Sequence, residues 1–360
     1  MENYSNISLY KYRGGDQHVF ERDLKSLVDD CYWAAEIPTL NDPCEALINS
    51  DGYFESLNVL EKVVHSTISK SIDFQGIRIK MEELLAKSLT VGVFSLSKNY
   101  NDELMWSHYA AAHHGFCVGY NMHYMKQSLK KYFYNLLEVV YSENPPEIKM
   151  MEQIMSSEPK MGMEQLLATK SLKWKNEEEI RIVTDKPGLH YYDYRAVESI
   201  YFGLRMSEDH KNQIMSALQG RGIIYYQMQM AAKAYRFLAM PVADKYSSAP
   251  RYKYKIAPVM NGADDETGVQ EHFKQYNGYL RKAVEVARRE PYCVEVETSG
   301  FNSSSSVDSP VIFVYCQRTD QDYGSFEYSL TEVDELYNKI EDLDGSIIIA
   351  PNGDHNLNSR

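Results

Sequence analysis

The stretch Ser171-Leu-Lys-Trp-Lys-Asn-Glu-Glu-Glu-Ile-Arg-Ile-Val183 decides how the rest of the chain is read. Ile180, Ile182 and Val183 have the apolar, β-branched character of a strand. Alternation places Ile180 and Ile182 on one face and Glu177, Glu179 and Arg181 on the other. Two carboxylates pointing the same way repel each other, which raises one pKa unless a cation lies between them. Trp174, just upstream, offers a flat surface for stacking. The charged face has two readings: a chemical site, or the solvated side of a half-exposed strand.

Working outward, the segment before this stretch, 147–170, is Met-rich and has a helical pattern, preceded by the Pro145-Pro146 break. Pro187-Gly188 turns the chain after it, and Val197–Gly203 forms a strand. Ser207 caps a helix with Glu208 and Asp209 in its first turn, and strands follow at 223–230 and 235–242. Nearer the N-terminus, Ile7–Arg13 is a first strand with Leu9, Lys11 and Arg13 on one face and Tyr10 and Tyr12 on the other. Asp42, Pro43 and Glu45 have the pattern of a capping-box helix start. Helices are expected at 54–70, 78–88, 102–114 and 126–137, and strands at 89–96 and 116–120. His108, His113 and His114 match no standard zinc spacing, and the expectation is no bound metal.

Length and charge bound the function classes. A chain of 360 residues fits two domains. The net charge of −13 argues against broad nucleic-acid binding. Residues 241–360 carry 12 Lys/Arg against 20 Asp/Glu, so the acidity is concentrated there, and a local basic site around Lys170, Lys173 and Lys175 stays open. Five widely spaced cysteines without a Cys-x-x-Cys pair fit reduced thiols in a cytoplasm. No run of 18 apolar residues and no signal-peptide pattern occurs, so a cytoplasmic protein away from membranes is expected.

The composition shifts to polar and Gly-containing over 244–268, which reads as a linker. The domains are accordingly placed at 1–245 and 246–360. The second has an amphipathic helix from Val269 to Val284 and strands at 292–298 and 311–317. A Ser329/Glu332 capping box then starts a helix, and a last strand is expected at 346–350. It is a small acidic α+β module, a possible site for a protein partner.

Several stretches together carry a resemblance. Leu9–Arg13, Asn41–Pro43, Phe94–Ser97, Met105–Ala110, Gly115-Phe116, Trp174–Arg181 and Ile200–Gly203 look like a bacterial family of unknown function, over roughly residues 7–240. An Arg on an early strand, Ser95-x-Ser97 on a later one and Glu177-x-Glu179 on a later one still also resemble the Arg–Ser–Glu arrangement of ADP-ribosyltransferases.

That second resemblance implies an α+β fold with a mixed sheet and helices, and NAD as substrate. Glu179 would stabilise the oxocarbenium-like centre formed when nicotinamide leaves. Glu177 would orient or deprotonate the acceptor, a protein or nucleic acid, and Ser95 would hold Glu179. Arg13 would clamp the diphosphate, with Trp106 or Tyr109 stacking on nicotinamide. Tyr12, Ser97, His108, Trp174 and Arg181 complete the residues placed near NAD. A bacterial toxin or phage-defence effector would fit such chemistry. The alternatives are a metal-dependent nuclease using Glu177, Glu179 and a His, and a non-enzymatic sensor recognising its partner through the acidic module.

Overall fold

The computed structural model describes residues 7–47, 49, 51–67, 73–88, 90–129, 134–147, 161–265, 268–319 and 322–340. Contacts divide the chain into two units, Met1–Ser247 and Ser248–Arg360. The expected strand at 346–350 and most of the Met-rich segment before residue 161 lie outside the described residues.

The first unit is mixed α+β. Its strands are β1 (Ser8–Arg13), β2 (Cys31–Glu36), β3 (Gly92–Ser97), β4 (Phe116–Asn121), β5 (Tyr134–Glu138), β6 (Val140–Ser142), β7 (Thr169–Ser171), β8 (Glu179–Thr184), β9 (Gly188–Tyr191), β10 (Val197–Phe202), β11 (Ile224–Met230) and β12 (Phe237–Val242). The large sheet runs β12-β11-β10-β4-β1-β3-β2-β9, with β8 also on β3 and β5 on β8. The β10–β11 pair is parallel and β1–β4, β3–β8 and β5–β8 are antiparallel. The short strands β6 and β7 pair parallel, off the sheet.

One junction in this sheet differs from the rest. Strand β1 pairs with β4 along its whole length but touches β3 through a single pair, Tyr10 with Ser97. The sheet is therefore split beside β3, and the Lys11 ammonium donates a hydrogen bond to Ser95 O, 2.8 Å away.

The helices of this unit are α1 (Gln17–Val28), α2 (Asp51–Thr67), α3 (Phe74–Ser88), α4 (Glu103–Tyr109), α5 (Met122–Leu129), α6 (Met161–Ala168) and α7 (Glu208–Ala217). Asp16 caps α1 by accepting from Val19 N, and Ser207 caps α7 by accepting from His210 N. Phe20 and Leu27 of α1 and Ile214 and Met215 of α7 pack on Leu9, Phe94, Leu96, Val118, Ile180, Ile182 and Ile200 in the main core. Full burial of a side chain of this size stabilises by about 1.5–3 kcal/mol. The sheet carries two smaller apolar clusters as well. One is built on Tyr12, Met105, Trp106 and Tyr201, the other on Val93, Leu137, Leu167 and Val183.

Three sequence expectations need correction. Residues 43–46 form a turn, and α2 begins only at Asp51. Asp42 does accept from Cys44 N, but the Glu45 side chain points elsewhere. Helix α4 stops at Tyr109 rather than Gly115, because Ala111, Ala112 and His113 all adopt positive φ and reverse the chain into β4. The helix expected at 126–137 is instead α5, starting at Met122, followed by strand β5. Leu137 is buried there against Val183 and Leu167.

The second unit holds β13 (Glu295–Phe301), β14 (Val311–Thr319) and β15 (Asp322–Ser329) in one antiparallel sheet, with α8 (Gly278–Ala287) and α9 (Leu330–Tyr337). Strand β15 was missed in the sequence reading. The Ser329/Glu332 capping box that starts α9 is present with both of its hydrogen bonds. Leu280, Val284 and Ala287 of α8 pack on Val296, Ile312 and Val314.

Candidate functional site

The two carboxylates converge by a route that alternation alone does not describe. Glu177 ends a 3-10 turn, Leu172–Glu177, and β8 begins at Glu179. Glu178, between them, is left-handed at φ 43°, ψ 51°. From Glu179 onward alternation holds: Ile180 and Ile182 enter the main core, while Glu179 and Arg181 turn to the other face.

That other face is not solvated. Glu179 is 4% exposed and Arg181 1%, and every residue of β8 is buried. The solvated-strand reading fails because other segments cover the face and supply opposite charge. Lys170, from β7, lies 2.6 Å from Glu177, 3.2 Å from Glu179 and 3.3 Å from Glu45. Arg181 holds both oxygens of Glu179 at 2.9 and 3.1 Å. Its remaining donors reach Glu45 and the Leu167 carbonyl, each at 2.8 Å. Tyr109 donates to Glu177, and the Tyr141 hydroxyl accepts from the Glu179 N–H.

Three carboxylates therefore share two cations, leaving one formal negative charge. Burial alone would raise the Glu179 pKa, but Arg181 and Lys170 outweigh it and hold the carboxyl at about 2. Hydrogen bonding from Ser95 adds to this. Burial works against the charge of Lys170, yet Glu179 and Glu177 raise its pKa above the ordinary lysine value. Burial, with the hydrogen bond to Glu177, pushes Tyr109 up to about 12, so it remains a donor at neutral pH. Among the described residues, Glu45 Oε2 is buried and has no hydrogen-bond partner. An ionised oxygen in that state is costly unless water or a ligand donates to it.

Beside this network is a cavity of about 210 Å³. Tyr10, Lys11 and Tyr12 of β1 line it, with Ser95 and Ser97 of β3, the turn residues Asn41 and Glu45, and Tyr109, Lys170, Glu177 and Glu179. Its volume lies below the range of about 300–1,000 Å³ typical of pockets that enclose a drug-sized ligand. It suits a sugar-sized group, with the remainder of a larger molecule lying outside.

The structure thus brings Glu177, Glu179, Ser95, Ser97, Tyr12 and Tyr109 to one cavity. It does not bring the others. Arg13 is beside Asp23 at 3.6 Å and outside the lining, and Lys11 occupies the place expected for it. Trp106 is fully buried, with its indole N–H on Tyr100 O and its ring edge-to-face with Tyr12, so it presents no face for stacking. His108 is exposed and away from the cavity. Lys170 lies over the Trp174 ring at 5.1 Å, so Trp174 packs on the network. Arg181 spends its donors inside the protein. Within the lining, the Tyr12 hydroxyl donates to Asn99 O, and the Ser97 hydroxyl accepts from Asn99 N.

Sequence reasoning missed Glu45, whose local pattern suggested a cap, and did not place Lys170 in the site. Only the run Lys170, Lys173, Lys175 hinted at a cation there. Among the described residues, no group of three or more His, Cys, Asp or Glu side chains is arranged to hold a metal ion. No helix among them is long and apolar enough to cross a membrane.

Residues 105–182 match the model of a family described as a protein of unknown function (DUF2971). The match begins in α4 and ends in β8, so it includes Tyr109, Lys170, Glu177, Glu179 and Arg181 but neither β1 nor β3. No curated protein and no solved structure gives a match.

Proposed function

We propose that the first unit cleaves the bond between nicotinamide and ribose of NAD and passes the ADP-ribosyl group to an acceptor or to water. One observation carries this reading. Strands β1 and β8 both lie beside β3, and Tyr10, Lys11 and Tyr12, the Ser95 and Ser97 pair and the Glu177 and Glu179 pair, far apart in sequence, line one cavity whose wall is a buried carboxylate network, with Arg13 itself outside it.

The chemistry asks for such a wall. As the C1′–N bond breaks, its electron pair goes to the ring nitrogen and nicotinamide leaves neutral. Positive charge then builds on the ribose C1′–O4′ unit. An ionised carboxylate held rigid and out of water stabilises that charge without reorganising. Glu179 meets the requirement, because its cations keep it ionised far below neutral pH. Glu177, hydrogen-bonded by Tyr109, is suited to orient a ribose hydroxyl or accept a proton from the acceptor. A cavity of this size would take the ribose beside the scissile bond, with the adenosine half of NAD outside it.

The test is release of free nicotinamide from NAD by purified protein, followed by chromatography. Release by the wild type that falls on the order of 100- to 1,000-fold in Glu179→Gln supports the reading. A wild type that releases none, with and without protein and nucleic-acid acceptors, rejects it.

A further inference from the structure

The cavity holds a second reactive group that the NAD reading leaves unused. Lys11 enters through the split between β1 and β3. Its ammonium donates to Ser95 O at 2.8 Å and lies over the Phe94 ring at 5.1 Å. No carboxylate among the described residues is within ion-pair distance of it. Lys170, in the same cavity, is paired with three carboxylates. The two lysines are thus set up in opposite ways: one is fixed as a cation by three carboxylates, and the other faces a ligand-sized space with no carboxylate of the described residues paired to it.

We propose that Lys11 is an amine nucleophile of this cavity, taking a small, uncharged, hydroxylated aldehyde or ketone, such as an open-chain sugar, as an imine. A lysine becomes nucleophilic when it is desolvated and set beside another cation, because both disfavour its charged form. Lys11 is half-buried at the cavity wall, and Arg13 lies two residues along on the same face of β1. Burial and the neighbouring Arg13 lower the Lys11 pKa to about 7, against the weaker opposing pull of Glu179, Asp23 and Glu177. About half of the side chain is then neutral at pH 7, where an ordinary lysine is almost entirely protonated. The Cys117 thiol, also close to Lys11, is pushed well above its usual range by burial and stays neutral.

The ligand class follows from the lining. The network carries one net negative charge, which disfavours an anionic ligand. Tyr10, Asn41 and Ser95 bring hydroxyl and amide groups to the lining, suited to sugar hydroxyls. The Lys11 lone pair attacks the carbonyl carbon to give a carbinolamine. Loss of water then forms the C=N bond, the oxygen leaving with the two protons of the amine. No electrons are exchanged, and the step is reversible.

The inference stands apart from NAD cleavage, and its test uses no NAD. The full chain is incubated with glyceraldehyde and cyanoborohydride between pH 6 and 9, at low total labelling. Reduced adducts are then assigned to individual lysines by mass spectrometry of peptides. At pH 7 Lys11 is expected to react roughly 10-fold or more faster than the other lysines. Its rate should level off above about pH 8, while theirs keep rising to pH 9. Lys11→Arg should remove the fast adduct and leave the slow ones. If that variant does not fold, the wild-type pH profile decides. A Lys11 rate within the spread of the other lysines, or one rising in parallel with them to pH 9, overturns the proposal.

Discussion

Glu179 is where the proposed chemistry and the stability of the fold meet. Its carboxylate neutralises buried charge on Arg181 and Lys170. Glu179→Gln therefore affects folding as well as rate. Removing one partner from an isolated buried ion pair costs about 3–5 kcal/mol, an upper bound here because Glu45 still faces both cations and Glu177 still faces Lys170. In a unit of this size that lowers the melting temperature by at most roughly 10 °C. A melt unchanged within 2–3 °C would show that the network contributes little, so activity must be compared below the mutant's transition. Acid gives an independent check. The folded pKa of Glu179, about 2, lies below the ordinary glutamate value of about 4.3. Its stabilisation is present above the unfolded value and is lost as pH falls toward 2. The stability difference between wild type and Glu179→Gln should therefore be full at pH 6 and shrink below about pH 4, measured by urea unfolding. A difference that does not vary with pH would contradict the ionised assignment. Lys170→Met is the harsher change, because it leaves Glu177 and Glu179 facing each other without the cation between them.

Among the elements, the single residue between the 3-10 turn and β8 sets the convergence of the two carboxylates. Glu178 sits at positive φ and is exposed, so its backbone angles matter more than its charge. Glycine adopts that conformation freely and β-branched residues strongly resist it. Glu178→Gly should leave melting temperature and activity close to wild type. Glu178→Ile should destabilise by about 1–2 kcal/mol and reduce activity beyond its effect on the melt, since Glu177 loses its aim. Equal behaviour of the two variants would mean that the turn does not position Glu177. The split between β1 and β3 works at the same scale. With one bridging pair, Tyr10 and Ser97, the two strands leave room for the Lys11 side chain and the cavity.

For the whole molecule, the contacts separate Met1–Ser247 from Ser248–Arg360, and each unit has its own apolar core. Brief proteolysis should cut first between about 244 and 268 and leave a fragment that melts cooperatively. Chain segments with few contacts across them are the usual sites of nicking. Cuts concentrated inside 90–200 would contradict two separately folding units. The candidate site lies wholly in the first unit, so if the proposed NAD cleavage holds, a fragment ending at Ser247 should release nicotinamide at a rate similar to the full chain, and loss of that activity with a cooperative melt retained would give the second unit a part in it.

By itself the sequence determined what backbone periodicity and local capping can report. The division of β8 into an apolar and a charged face, the two faces of β1, the caps at Ser207 and Ser329 and the mixed α+β architecture were all legible, because each depends on residues a few positions apart. Whether the charged face of β8 met water or protein was decided elsewhere. Glu45, 136 residues before Arg181, leaves its expected cap to enter the network, and Lys170 arrives on a strand only three residues long. The transferase resemblance offered Trp106 as a stacking surface, yet the fold closes over both of its faces. Arg13 and Lys11 share a face of one strand, and only the break between β1 and β3 selects Lys11 for the cavity. Ion pairing and burial act through space between segments that the chain order keeps apart. Periodicity fixes which way a side chain points, and the tertiary structure alone fixes what it meets there.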